Sequence, residues 1–449
     1  MTNKILFFLL IALSVSISSC KKDNNKPIDS AFDAKYNTAS VEENKATLED
    51  NGIALVNNID QMKDLDAVKI LINLGSRIDE SETVLKVNSA STFLTPVSVV
   101  KIANRDGAKI SDAANQLKIV AEDPENLLDA WNQLVGTYDY DTTLGDFVKT
   151  EGGDAIIINF PGLEGDQSNT AQIKINNFNY MTITEPLFEG DGGDAMIGQQ
   201  LPTSLHFELS YEGTILATWE ISASYEASGM PTSFHSMLTV SPFSLGVEMI
   251  HNPFSHAEFT FSFKHNDDIL VETHAEGNGD WSEGNINDNT QTVTETDEWG
   301  TYTYTEVYVE NILRNANAYI QVLNIKIAGL VDLHALGPII RDLDNQASQP
   351  GADQHQIVNE LVDAINDHAQ LVVVIADGNE MIARAEAFAY YDDEWDEWYP
   401  ELRFVFADGS NVDAETYFQT GFSDLVAQIN DMIDEFNQEY DINIEPIDY

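Results

Sequence analysis

From Gly136 to about residue 333 the chain alternates apolar and polar residues with a period of two, and this limits its possible folds more than any other feature. Leu205, Phe207, Leu209 and Tyr211 alternate with polar neighbours, and Ile215, Ala217, Trp219, Ile221, Ala223 and Tyr225 follow in the same rhythm. Phe259, Phe261 and Phe263 continue it. Tyr302, Tyr304 and Tyr308 resume it, and Ala318, Ile320 and Val322 lead into a last run ending at Ile327. Successive side chains of a strand point to opposite faces, so runs of this length predict half-buried antiparallel strands. Glu212-Gly213 and Asp267-Asp268 fall between such runs, where hairpin turns belong.

Helical signals flank this region. Ser40-Val41-Glu42-Glu43 matches a capping box, and Leu48, Leu55, Ile59 and Met62 follow at helical intervals. A second helix is predicted over about 65–75, through Leu65, Val68, Leu71 and Ile72. Asp123-Pro124-Glu125 predicts another helix start, ahead of Leu127, Leu128, Trp131 and Leu134. Past the strands, residues 354–370 form an amphipathic pattern through Ile357, Leu361 and Ile365. Asp377-Gly378 and Asp408-Gly409 predict tight turns between short strands. The last helix carries an apolar stripe of Phe422, Leu425, Ile429, Met432, Ile433 and Phe436, which must bury against another layer.

The predicted class is therefore α+β. Residues 39–135 supply N-terminal helices, and 136–333 a large curved antiparallel sheet, with a half-barrel among its possible forms. Residues 334–449 supply a mixed α/β segment whose final amphipathic helix packs on the sheet.

Charge narrows the function. The 449 residues carry 75 Asp and Glu against 22 Lys and Arg, a net −53. With 43 % hydrophobic residues the chain can still bury a core, so it is not a disordered acidic tail. Nucleic acid is excluded as a partner, because phosphate neutralisation needs Lys and Arg. A basic patch for anionic lipid is excluded on the same ground. Between Lys174 and Arg314 the sole basic residue is Lys264. An ordinary half-wet sheet shows Lys and Arg on its outer face; here Ser, Thr, Glu, His and small residues stand there instead. That predicts a sheet covered in part on both faces, or curved around a cavity.

The large inward side chains Phe207, Trp219, Tyr225, Phe259 and Phe261 are candidates to line an apolar ligand site, closed by helices that include residues 421–440. Asp191-Gly-Gly-Asp194 is a candidate calcium loop, with Asp191 and Asp194 as ligands, though it lacks the spacing of a twelve-residue calcium loop. No other cofactor is called for. His251, His256, His265 and His274 show no zinc-binding spacing, and His265 keeps step with the phenylalanines before it. No nucleophile elbow, phosphate loop or dinucleotide fingerprint occurs, so no catalytic residue is nominated. The string Tyr390-Tyr-Asp-Asp-Glu-Trp-Asp-Glu-Trp-Tyr399 interleaves rings with carboxylates. Such a string can stack on sugar rings, or form a hairpin tip with its rings on the sheet and its acids in water.

The N-terminus supplies an address. After Lys4, an apolar run from Ile5 to Ile17 ends at Ser18-Ser19-Cys20, and Cys20 is the chain's one cysteine. The run is too short to span a bilayer as a permanent helix. The pattern resembles a bacterial lipoprotein signal, and the Ser before the cysteine with Lys21-Lys22-Asp23 after it looks like lipoproteins of the Bacteroidota. The resemblance implies removal of residues 1–19, lipidation of Cys20, a flexible tether over 20–38 and attachment to the outer membrane, on its periplasmic or cell-surface face. With Cys20 so committed, disulfides and thiol chemistry are excluded from the rest of the chain. The layout is also similar to half-barrel lipoprotein carriers. The expected function is that of an envelope-anchored, non-catalytic binding module for an apolar ligand or an envelope protein partner. The alternatives are an envelope glycan hydrolase and a calcium-stabilised structural or adhesive surface protein.

Overall fold

A computed structural model describes residues 29–80, 126–186, 197–297, 300–393, 396–413, 417 and 423–440. From the N-terminus the strands are β1 (Lys35–Tyr36), β2 (Gly136–Asp141), β3 (Asp146–Thr150), β4 (Ile156–Phe160), β5 (Ala171–Thr182), β6 (Gln200–Tyr211) and β7 (Thr214–Tyr225). They continue as β8 (Pro231–Val240), β9 (Phe243–Asn252), β10 (His256–His265), β11 (Asp268–Gly279), β12 (Thr290–Asp297) and β13 (Gly300–Val307). The rest are β14 (Leu313–Val322), β15 (Ile325–Asp332), β16 (Ala369–Ile375), β17 (Glu380–Asp392), β18 (Glu397–Val405) and β19 (Asn411–Asp413). Seventeen of these strands belong to one hydrogen-bonded sheet, and β12 and β13 form a separate pair. The large sheet is mixed, because β1–β17 and β2–β4 pair in parallel. With helices before, within and after the strands, the class is α+β, as the alternation and its flanking helical signals predict. The Tyr302–Tyr308 run departs from expectation, since β13 pairs with β12 and not with the large sheet.

The turns follow from backbone chemistry. Glu212 and Gly213 join β6 to β7 with φ of 48° and 79°. This two-residue turn has the twist that suits antiparallel strands, and glycine reaches its left-handed geometry without strain.

The described residues fall within two compact units. One comprises Met1–Gly52, Val247–Ser262 and Ile269–Phe422; the other comprises Ile53–Gly246, Phe263–Asp268 and Ser423–Tyr449. The expected boundaries at 135/136 and 333/334 do not separate them. Residues 136–333 contribute to both units, and the C-terminal segment parts after Phe422.

In the second unit the strands run β3–β2–β4–β5–β6–β7–β8. The helix Asp66–Glu80 places Ala67, Ile70, Leu71 and Leu74 on one stripe. That stripe buries against Phe160, Ile173, Ile175, Phe207 and Leu209. The helix Leu127–Leu134 is capped by Asn126, whose side chain accepts from the Asp129 N–H. The cap predicted at Asp123-Pro124-Glu125 lies outside the described residues. The helix Ser423–Tyr440 belongs to this unit, and its Glu435 lies 2.5 Å from Lys63 Nζ.

In the first unit the sheet order is β10–β11–β14–β15–β16–β17–β18–β19. One face meets helices. The capping box forms as predicted: Ser40 N–H donates to Glu43 Oε2 at 2.8 Å, and Glu43 N–H to Ser40 Oγ at 3.2 Å. The helix it starts, Val41–Asp60, lays Val41 and Leu48 against Ile325, Val373, Ala383, Phe404 and Phe406. The helix Gln354–His368 lays Val358 and Val362 against Ala387 and Leu402.

Part of the predicted tether is structured. Asp29–Phe32 is a helical turn, and Lys35–Tyr36 is strand β1, paired with Glu380 and Met381 of β17. The reason is burial. Ala31 is 1 % exposed against Tyr319, Ala328, Val372, Val374 and Met381, with Phe32, Ala34 and Tyr36 beside it. Asn37 and Asn44 lock the end of this segment through side-chain amides 2.6 Å apart.

Candidate functional site

The face of the first unit's sheet opposite those helices is defined by register. His274, Tyr319, Ala328, Val372, Arg384 and Val405 are successive Cα partners across β11, β14, β15, β16, β17 and β18. Because side chains alternate along a strand, this row and its neighbours two residues away share one face. Residues 29–36 pack on its middle. To either side it carries rings, histidines and carboxylates in place of an apolar core.

On the β10–β11–β14–β15 side, Tyr319 donates its hydroxyl hydrogen to Glu272 Oε1 at 2.6 Å. His274 stacks on the Tyr319 ring with centroids 5.3 Å apart, and its Nδ1 lies 3.0 Å from Thr260 Oγ1. Lys326 is 8 % exposed and holds its Nζ 4.0 Å from the centre of the same ring. His256 bridges Glu258 and Asn278, with ring nitrogens 3.3 and 3.1 Å from their side-chain oxygens. Burial sets the proton affinities. It pushes the Tyr319 phenol up, and the bond to Glu272 adds to that shift. Burial also lowers His274, against the pull of Glu258, Glu276 and Glu272, and lowers Lys326, against Glu272 alone. All three shifts disfavour the charged form, as desolvation should.

On the β17–β18 side the face forms a ladder. Tyr390 faces Tyr399, Phe388 faces Glu401, and Glu386 faces Arg403. The tyrosine rings are 5.2 Å apart, and Tyr390 is 41 % exposed. Arg403 lies over the Phe388 ring at 5.5 Å and 3.4 Å from Glu386, which also holds Arg384 at 2.5 Å. The Tyr399 phenol is pushed up to about 12, by burial and then by the neighbouring carboxylates Glu401 and Asp392. Tyr391 and Trp398 occupy the opposite face, centroids 5.2 Å apart, where His355 packs on Trp398 at 4.1 Å. The ring-and-carboxylate string is thus a hairpin with a ring pair on each face. Such a surface stacks on planar or cationic groups and accepts hydrogen bonds.

The nominated ligand-lining residues divide. Phe207 and Trp219 are Cα partners in the second unit, where Phe207 is 1 % exposed within the core and Trp219 packs against it. Trp219 Nε1–H donates to the buried Ser236 Oγ at 2.7 Å. Tyr225, past a register shift in the same strand, donates to the Pro202 carbonyl at 3.1 Å. Phe259 and Phe261 belong to the first unit. They flank Thr260, so by alternation they point away from His274. The structure therefore does not gather these five side chains at one place. His265 stacks on Phe243 at 4.8 Å, with Nδ1 3.1 Å from Asn58 Oδ1, as a satisfied strand histidine would. Cys20, Asp191 and Asp194 lie outside the described residues. Among the described residues, no group of three or more His, Cys, Asp or Glu side chains is placed to hold a metal ion.

Sequence reasoning missed Tyr319, Lys326 and Glu272. Lys326 left a trace: it interrupts the apolar run Ile325-Lys-Ile-Ala328 in a stretch poor in lysine. A charge inside a strand's apolar row marks either a wet edge or a buried partner.

No protein-family model matches the chain, and no curated protein matches it. Among solved structures, a porin-like protein from Bacteroides vulgatus ATCC 8482 is similar over 61 % of this chain and 88 % of its own, at 9 % identity and a TM-score of 0.12. A likeness at that level carries no argument about fold or function. No helix among the described residues is long and apolar enough to cross a membrane.

Proposed function

We propose that this chain is a lipid-anchored envelope protein that works as a non-catalytic binding module, and that it takes its ligand or partner on the ring-and-carboxylate face of the first unit. One observation carries the binding role. The face that begins at His274 and ends at the Tyr390–Tyr399 rings is built from stacking and hydrogen-bonding groups, and Tyr390 stands 41 % exposed at its end. A face meant only for packing would be apolar, as the helix-covered face is. The anchor is supported by the Ile5–Cys20 pattern. Two acyl chains on Cys20 would hold the protein stably, where one is marginal.

The test has two arms in one host. The wild type and Cys20→Ser are expressed and fractionated, and the N-terminal mass is read. A photo-crosslinking residue is placed at Tyr390 and, as a control, at Ile215, which is 55 % exposed in the second unit. A lipid mass on the wild type, release of Cys20→Ser and adducts confined to position 390 support the proposal. Equal sorting of both proteins overturns the anchor; adducts at both positions alike, or at neither, overturn the binding face.

A further inference from the structure

The hairpin end of this face has a marked charge imbalance. From Ala385 to Leu402 the chain contains seven acidic residues and no lysine or arginine. Glu386 and Glu401 lie on the same face as Tyr390 and Tyr399, and Asp392 ends the strand two residues beyond Tyr390. Elsewhere on this face a ring beside a carboxylate already holds a cation. Lys326 lies over Tyr319 beside Glu272, and Arg403 lies over Phe388 beside Glu386. A ring face attracts a cation electrostatically, and a nearby carboxylate adds a charge-assisted hydrogen bond. The Tyr390–Tyr399 pair repeats that chemistry, but at a partly exposed tip where acids surround it.

We propose that Tyr390, Tyr399 and Glu401 form a docking site for an arginine- or lysine-rich segment of a partner protein. This rests on the binding-module reading and names its partner class. Charge complementarity decides between occupants. A neutral sugar would gain from the rings but nothing from seven acids, and an apolar ligand would meet carboxylates at every edge. A basic segment uses both. Its guanidinium groups stack on the tyrosines and pair with Glu401, while the surplus acids speed its approach.

The test uses the full mature chain in detergent and a fluorescein-labelled peptide, acetyl-Gly-Arg-Ser-Arg-Gly-Arg-amide, followed by anisotropy. Tyr390→Ser and Glu401→Gln should each weaken binding about fivefold or more. Tyr391→Ser, a ring of similar exposure on the opposite face, and Asp139→Asn, an acid of the second unit, should stay within about twofold. High salt should weaken the wild type steeply. Melting curves check that each variant folds, and Tyr390→Leu serves as a second variant that keeps apolar bulk without the ring. Equal loss in all four variants would mean bulk attraction to an acidic protein and would overturn the proposal. So would no binding at all. Chitohexaose binding that depends on Tyr390 while the peptide fails would end the basic-segment proposal and leave the binding module standing. Failure of both probes, with no adduct at position 390, would end both.

Discussion

The hydroxyl of Tyr319 donates to Glu272 across the β11–β14 pair at 2.6 Å, although the register partner of Tyr319 is His274. The bond runs diagonally, and this frees the ring's flanks for His274 and Lys326. One tyrosine therefore satisfies a carboxylate, backs an imidazole and carries an ammonium. Tyr319→Phe keeps the ring and removes the bond. It should cost about 1–2 kcal/mol by denaturant melting. A loss near zero would show that water replaces the hydroxyl and that the diagonal bond is incidental.

His274 should make stability depend on pH. Its folded pKa is lowered, chiefly by burial, so the unfolded chain takes up the proton first. Above the ordinary histidine value of about 6.5 both states are neutral and nothing changes. Stability falls as the pH drops below that value, and the fall stops once the folded pKa is passed. His274→Gln keeps a hydrogen-bonding group beside Thr260 and removes the titration. The difference in melting temperature between wild type and variant should change between about pH 7 and pH 5, with the wild type losing more. Parallel curves would sink this account. Lys326, also lowered by burial, should add a rise in stability towards alkaline pH that Lys326→Met lacks.

Phe207 and Phe261 should behave differently. Phe207 is 1 % exposed amid the second unit's core, so Phe207→Ala should cost about 3–5 kcal/mol. Phe261 is only half-buried, and Phe261→Ala should cost about 1–2 kcal/mol. Both are measured by chemical unfolding, with native mass spectrometry on the same samples. If Phe207→Ala instead left stability intact and released a co-purifying lipid, Phe207 would line a ligand site.

Ala31→Asp tests the N-terminal segment. The methyl group is 1 % exposed against Ala328, Val372 and Met381, and a carboxylate there would have to be desolvated. A loss of about 2–4 kcal/mol is expected, together with faster amide exchange in residues 35–37. Unchanged exchange would mean that the segment is held by its backbone pairing alone.

The strands could be read in the sequence because half-burial writes itself as alternation. The helices at 66–80 and 354–368 could be read because a buried stripe repeats every three or four residues. The candidate face was harder to read. Its members sit on β10, β11, β14, β15, β17 and β18, and nothing local marks which of two polar rows will be covered. Lys326 is buried because residues 29–36 and its neighbouring strands reach the same face, and those pairings are long-range. The segment 29–38 misled for the opposite reason. Its composition is that of a tether, yet one alanine and two aromatic residues suffice when the sheet supplies the other half of the contact.

The two-residue parallel pairing of Lys35 and Tyr36 with β17 also sets a distance. With Cys20 held in lipid, the leash is not the eighteen residues its composition suggests but the eight between Cys20 and Asp29. Fully extended, nine Cα steps reach about 30 Å. The first unit would then ride like a boat on a short mooring, close enough to the bilayer for its headgroup region to limit what can approach. A longer leash, made by inserting residues before Asp29, would widen that berth without touching the fold.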